Sequence, residues 1–141
     1  MKKNLVLLGM MGVGKSTLGK IVAKRQNLDF EDIDSNIEKK NLMTVKEIFK
    51  KKGEQFFRTK EELEVLKCLK KNNCVIALGG GAFINPTIRA AVLKNSISIW
   101  LDIDLKIIKQ RIKWNKKRPL LMNTNIQKKI EDLYAERKHF Y

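Results

Sequence analysis

Short apolar runs alternate along this chain with stretches whose apolar positions fall at helical spacing. Leu5, Val6, Leu7 and Leu8 form a continuous run, as a strand buried on both faces would. Residues 17–26 then predict a helix, residues 29–34 a second strand ending in acids, and residues 35–41 a short helix. Thr44-Val45-Lys46-Glu47 is a capping box that opens another helix, with Val45, Ile48 and Phe49 on one face and Gly53 as its stop. A longer helix is predicted over 54–71, with Phe57, Leu63, Leu66 and Leu69 as its apolar positions. Residues 74–78 predict a third buried strand that runs into Gly79-Gly80-Gly81. Asn85 and Pro86 supply the N-cap and first position of a helix reaching Lys94. Ile97, Ile99 and Leu101 mark a fourth strand, and Asp104 caps a helix to about residue 113. Residues 114–125 are basic and polar, contain Pro119, and predict a mobile loop; residues 126–141 predict a last helix. Strands alternating with helices mean a parallel α/β sheet covered on both faces.

Length and charge narrow this picture. A chain of 141 residues, 43% hydrophobic and 32% charged, fits one soluble globular domain with room for a real core and little for a second. The net charge of +15 admits two readings. One is a nucleic-acid partner, which would call for a basic stripe interleaved with aromatics. The other is a lysine-rich surface, and the scattering of the lysines over helix faces favours it. Lys2 and Lys3 before an apolar run imitate a signal peptide, but Gly9, Gly12 and Gly14-Lys15-Ser16 interrupt the run and no small-residue cleavage pattern follows. No later run approaches the roughly 18 apolar residues that span a bilayer. Cys68 and Cys74 lack metal-site spacing and are expected to be reduced, buried thiols of a cytoplasmic protein.

The chemistry begins at Gly9-Met10-Met11-Gly12-Val13-Gly14-Lys15-Ser16, which fits G-x-x-x-x-G-K-[ST] between a strand and a helix. Gly12, Val13, Gly14, Lys15, Ser16 and Thr17 are therefore candidate ATP-binding residues, their amides turned toward phosphate oxygens at a helix N-terminus. Lys15 would meet the β- and γ-phosphates and Ser16 would ligate Mg²⁺ directly. Asp32 and Asp34, two apart at a strand end, suit one task each: holding Mg²⁺ through water, and orienting or deprotonating an acceptor hydroxyl. Asp34 fits helix capping before Ser35 equally well. Arg58 is read either as a surface pair with Glu61 at i+3 or as a fork for a carboxylate. The Gly79-Gly80-Gly81 run lets a ligand approach backbone, or is a plain loop.

Six motifs together resemble the shikimate kinase family: Gly12-x-Gly14-Lys15-Ser16-Thr17, Asp32-x-Asp34, Gly53-Glu54-x-x-Phe57-Arg58, Gly79-Gly80-Gly81, Arg118-Pro119-Leu120-Leu121 and Tyr134-x-x-Arg137-x-x-x-Tyr141. The resemblance implies a P-loop NTPase fold of three α/β/α layers and a parallel sheet in order 2-3-1-4-5. It implies one kinase domain over 1–141, with a lid at about 114–125, that phosphorylates the 3-hydroxyl of shikimate from ATP with Mg²⁺. Asp34 would act on the hydroxyl, Asp32 on the Mg²⁺ water shell, Arg58 and Arg137 on the shikimate carboxylate, and Gly80 on the ring through backbone. Arg118 would close on the phosphates with the lid, as a catalytic and ATP-binding residue, and Arg111 would lie near the adenine; His139 has no role and is expected at the surface. The family continues past its last tyrosine into a fifth strand, an adenine-contacting loop and a closing helix, whereas this sequence stops at Tyr141, so a 2-3-1-4 sheet with its fourth strand at an edge is expected. The expected partners are shikimate and ATP alone, with no nucleic acid or membrane, in the cytoplasm; a complete chain is expected to be a monomer, and one ending at Tyr141 to associate through its edge strand. A kinase for another small acid, such as gluconate, is the rival within this class, and Arg58 with Arg137 argues against it. A non-catalytic module binding nucleotide or polyanion is the rival outside it.

Overall fold

The computed structural model describes residues 3–113 and 125–141. Arg118 and nearly all of the expected lid lie outside the described residues. Elements follow in the order β1 (Asn4–Leu8), α1 (Lys15–Gln26), β2 (Asp29–Asp32), α2 (Ile33–Asn41), α3 (Val45–Lys52), α4 (Glu54–Leu69), β3 (Cys74–Ala77), a 3-10 turn (Ala82–Ile84), α5 (Pro86–Asn95), β4 (Ser96–Trp100), α6 (Leu105–Lys113) and α7 (Ile126–Arg137). The strands form one parallel sheet in the order β2-β3-β1-β4, with Leu5 opposite Val75 and Ile97, and Phe30 opposite Val75.

Period-2 alternation on the central strands feeds two cores. Val6, Leu8, Cys74 and Ile76 face α2, α4 and α5 through Ile37, Val65, Cys68, Ile88 and Val92. Leu7 and Val75 face the other way, onto Ala23 of α1. Each of these fully buried aliphatic side chains contributes roughly 1.5–3 kcal/mol through removal from water. A third cluster joins Met10, Met11 and Val13 of the β1–α1 loop to Ile108 and Ile112 of α6 and Ile130 and Leu133 of α7, so the loop rests on both helices. β4 lies at one edge of the sheet, with Ile97 51% exposed.

Local signals set several boundaries. Thr44 and Glu47 make both hydrogen bonds of the capping box, and Gly53 ends α3 at φ 86°. Asn85 caps α5 by accepting from the Thr87 and Ile88 N–H groups, with Pro86 next to it. Other boundaries differ from expectation. β2 stops at Asp32, and α2 starts at Ile33 rather than Ser35, because the Asp32 side chain accepts the Ser35 N–H at 3.1 Å and opens the helix two residues early. α4 ends at Leu69, and its buried stripe is Phe57, Glu61, Glu64, Val65 and Cys68, while Leu63 is 59% exposed. The last helix ends at Arg137, short of Tyr141. Among the described residues no helix is long and apolar enough to cross a membrane.

Candidate active site

The loop from β1 to α1 passes three times through conformations that disfavour a side chain, at Gly9 (φ 140°), Gly12 (φ 80°) and Gly14 (φ 101°). Gly14 is the N-cap of α1, so the first amides of that helix open onto a cavity of about 500 Å³. Lys15 is only 8% exposed; its Nζ donates to the carbonyls of Gly9 (2.5 Å) and Met10 (2.9 Å), which holds the ammonium across the loop. The Ser16 hydroxyl donates to Asp32 Oδ2, while Asp32 Oδ1 is engaged as the N-cap of α2. Arg111 on α6 reaches over the turn and donates from Nη1 to the Gly12 carbonyl at 2.9 Å. Asp34, Gly79 and Gly80 line the same cavity as Gly12–Ser16 and Thr17.

The far wall is organised by the three glycines that follow β3, each of which leaves room for a different side chain. A Cβ on Gly79 would lie 2.7 Å from Glu61 Oε1 and 2.8 Å from Asp34 Oδ1. One on Gly80 would lie 3.4 Å from Arg137 Nη1, and one on Gly81 within 2.8–3.1 Å of the Arg58 guanidinium. Real side chains do not approach so closely, so absent side chains at Gly79 and Gly81 are a condition for the two carboxylates and Arg58 to sit where they do. Arg58 is oriented by its neighbours on α4: Nη1 donates to Glu61 at 2.8 Å, two further nitrogens face Glu54 at 3.4 Å, and the guanidinium lies 5.4 Å from the Phe57 ring.

Burial sets the electrostatics. Glu61 is 1% exposed, and burial pushes its carboxyl up to about 7 against the opposing pull of Arg58, with Asp34 adding to the rise. Burial works against the charge of Arg58, but Glu61 and Glu54 outweigh it and hold its pKa above the usual value. Arg137 is 3% exposed; burial lowers its pKa, the Tyr141 side chain opposes that, and Arg58 adds to it. Arg137 Nε and Nη1 and Glu61 Oε1 are buried without a hydrogen-bond partner among the described residues. Two guanidinium groups and two carboxylates thus converge on one glycine turn beside a phosphate loop. Such a site can take a small hydroxy acid, its carboxylate toward the arginines and a hydroxyl toward Asp34.

Three expectations change here. Asp34 lies in the first turn of α2 rather than at a strand end, and Asp32 and Asp34 still line one cavity. The capping role open to Asp34 belongs to Asp32. The Arg58–Glu61 pair is not a surface pair, since Glu61 is buried. In the sequence Glu61 takes only the place of an Arg58 partner; the stripe 57, 61, 64, 65, 68 at helical spacing is the signal that places Glu61 inward. His139 is exposed, as expected.

Comparison with known proteins bears on what this site belongs to. The family model described as Shikimate kinase matches residues 11–141. The chain belongs to the shikimate kinase family. It is 46% identical over 137 residues to the shikimate kinase of Bartonella henselae, a match covering 97% of this chain and 65% of that protein. The chain therefore spans slightly less than two thirds of the length of that curated relative. The solved structure of a shikimate kinase from Acinetobacter baumannii in complex with shikimate superposes with a TM-score of 0.97 at 34% identity, covering 100% of this chain and 79% of that one. A gluconokinase from Sinorhizobium meliloti shares the fold, with a TM-score of 0.57 at 12% identity over 94% of this chain and 73% of its own.

Proposed function

We propose that this chain is a single kinase domain that transfers the γ-phosphoryl group of ATP to the 3-hydroxyl of shikimate, giving shikimate 3-phosphate and ADP. The observation that supports this most is the convergence of Arg58, Arg137 and Asp34 on Gly79-Gly80-Gly81, within one cavity's reach of the phosphate loop. A hydroxy acid with its carboxylate between the two arginines presents its ring to the glycine backbone and a hydroxyl to Asp34.

Each residue then has a task. The amides of Gly12, Val13, Gly14, Lys15, Ser16 and Thr17 bind the ATP phosphates, and Lys15, held at the loop, neutralises charge as the γ-phosphoryl group moves. Asp34 takes the proton of the 3-hydroxyl while the oxygen–phosphorus bond forms and the bond from the γ-phosphorus to the β–γ bridging oxygen breaks. Ser16 and Asp32 would hold Mg²⁺, Ser16 directly and Asp32 through water. Their oxygens already meet through a hydrogen bond beside the loop, and hard oxygen donors suit that ion. Bound there, Mg²⁺ would supply charge neutralisation at the phosphates. Arg118 would add a further positive charge from the lid, and Arg111 would flank the nucleotide. Both substrates are small and water-soluble, and the reading carries with it a cytoplasmic, monomeric enzyme of aromatic amino-acid biosynthesis.

The test is a coupled ADP-release assay with ATP and Mg²⁺, run with shikimate, with gluconate and with neither. Release that depends on shikimate supports the proposal. Release equal in all three arms, or faster with gluconate, contradicts it.

A further inference from the structure

Past α7 the chain turns back on itself and brings Tyr141 against the glycine run. The turn is tied to the helix it leaves, with the Lys138 N–H on the Tyr134 carbonyl and the Phe140 N–H on the Arg137 carbonyl, both at 2.9 Å. The Phe140 ring lies 4.8 Å from the Arg89 guanidinium, which itself donates to the carbonyls of Phe83 and Ile84 just beyond the glycines. The Tyr141 ring packs at 5.8 Å, tilted by 37°, against Trp100 at the end of β4. These contacts aim the hydroxyl, which donates to the Gly80 carbonyl at 2.7 Å.

That carbonyl is half of the peptide unit joining Gly80 to Gly81. No peptide bond among the described residues is cis, and a trans peptide is planar with its C=O and N–H on opposite sides. A bond that holds the Gly80 carbonyl therefore also fixes where the Gly81 N–H points. Glycines resist rotation least of all residues, so this unit needs an external anchor more than most. Tyr141 also neighbours Arg137, whose guanidinium abuts Gly80. Burial pushes the Tyr141 phenol up to about 12, so it remains a neutral donor throughout the working range.

We propose that Tyr141 is a positioning residue for the acceptor side of the site, setting the plane of the Gly80–Gly81 peptide and the seat of the Arg137 guanidinium. This rests on the shikimate kinase reading above. The separation in sequence is 61 residues, so Tyr141 couples the end of α7 to the turn after β3. Gly80 also lies against the Met11 backbone of the phosphate loop, but the side chain that Tyr141 seats is Arg137, on the acceptor side.

Tyr141→Phe removes the hydroxyl and keeps the ring on Trp100. The KM for shikimate should rise roughly 3- to 10-fold, the size of one lost hydrogen bond, while the KM for ATP stays within twofold. Tyr141→Ala, which also empties the ring's place, should lower the melting temperature well beyond the few degrees that the lost hydrogen bond costs Tyr141→Phe. A ligand-free readout separates this inference from the activity it rests on: the amide resonance of Gly81 should shift in Tyr141→Phe whatever the substrate is. An unmoved Gly81 resonance would overturn the inference, as would an unchanged KM for shikimate or an equal rise in both KM values. Wild-type protein inert toward shikimate would count against the proposed function, and the Gly81 shift would then decide the positioning role alone.

Discussion

Glu61 holds Arg58 from a position where it is itself almost sealed from water: the guanidinium donates to its carboxylate at 2.8 Å, while its other oxygen abuts Gly79. The groups facing Glu61 are Arg58, Asp34 and Arg137. Burial raises its pKa from 4.5 to about 7, so the folded chain binds the proton more tightly than the unfolded chain. Stability from this group is full below about pH 4.5 and falls as pH rises to 7, because over that window the unfolded chain ionises first. The loss is on the order of 3 kcal/mol. Glu61→Gln cannot titrate. Its melting temperature should therefore gain on the wild type steadily from pH 4.5 to 7 and run parallel above pH 7; parallel curves throughout would contradict the assignment.

Arg58→Lys and Arg137→Lys keep the charge and lose the planar fork. Each should raise the KM for shikimate roughly 10- to 100-fold, the range for a charge-assisted bond, with little change for ATP. Steady-state kinetics varying one substrate at a time check this, and equal losses for both substrates would count against a carboxylate clamp.

Gly79→Ala places a methyl group where Glu61 Oε1 and Asp34 Oδ1 now lie under 3 Å away. Both carboxylates must shift, at a cost of roughly 1–3 kcal/mol in stability. Shikimate turnover should fall at least tenfold. Thermal melting and initial rates measured together test this, and wild-type values of both would show that the turn has slack it does not display.

Asp32 caps α2 and, in the proposed function, also helps to hold Mg²⁺; a substitution can part the two. Asn caps helices as well as Asp does, so Asp32→Asn should retain α2 and most of the melting temperature. It removes the charge beside Ser16, so the Mg²⁺ concentration needed for half-maximal rate should rise several-fold. A titration of rate against Mg²⁺ reads this directly. A lowered melting temperature with an unchanged Mg²⁺ requirement would leave Asp32 a cap alone.

Much of this architecture could be read from local sequence. The phosphate loop, the Thr44 capping box and Asn85-Pro86 each act over a short contiguous stretch, so their signals survive without tertiary context. Three apolar runs and the acid-ended stretch 29–34 likewise predict the strands, and the family resemblance supplies the order β2-β3-β1-β4. Where two local signals competed, only the fold decided between them. Asp32 and Asp34 both precede helix-forming residues, and the capping bond to Ser35 went to Asp32, which moved Asp34 into the helix. Charge misled at Glu61, which looks solvent-facing by type yet lies on the buried stripe of α4. Tyr141 and Gly80 are 61 residues apart, and nothing near either one announces their bond.

The proposed function turns on Asp34 acting on a shikimate hydroxyl held by Arg58 and Arg137 beside the phosphate loop. ADP release by purified wild type and Asp34→Asn, each with ATP and Mg²⁺ and with shikimate present or absent, tests it most directly when paired with shikimate binding by calorimetry. The expected result is shikimate-dependent ADP release in the wild type, lowered at least a hundredfold in Asp34→Asn with shikimate still bound, because an amide cannot take the hydroxyl proton. Wild-type release indifferent to shikimate, or an Asp34→Asn protein that keeps its rate, would contradict it.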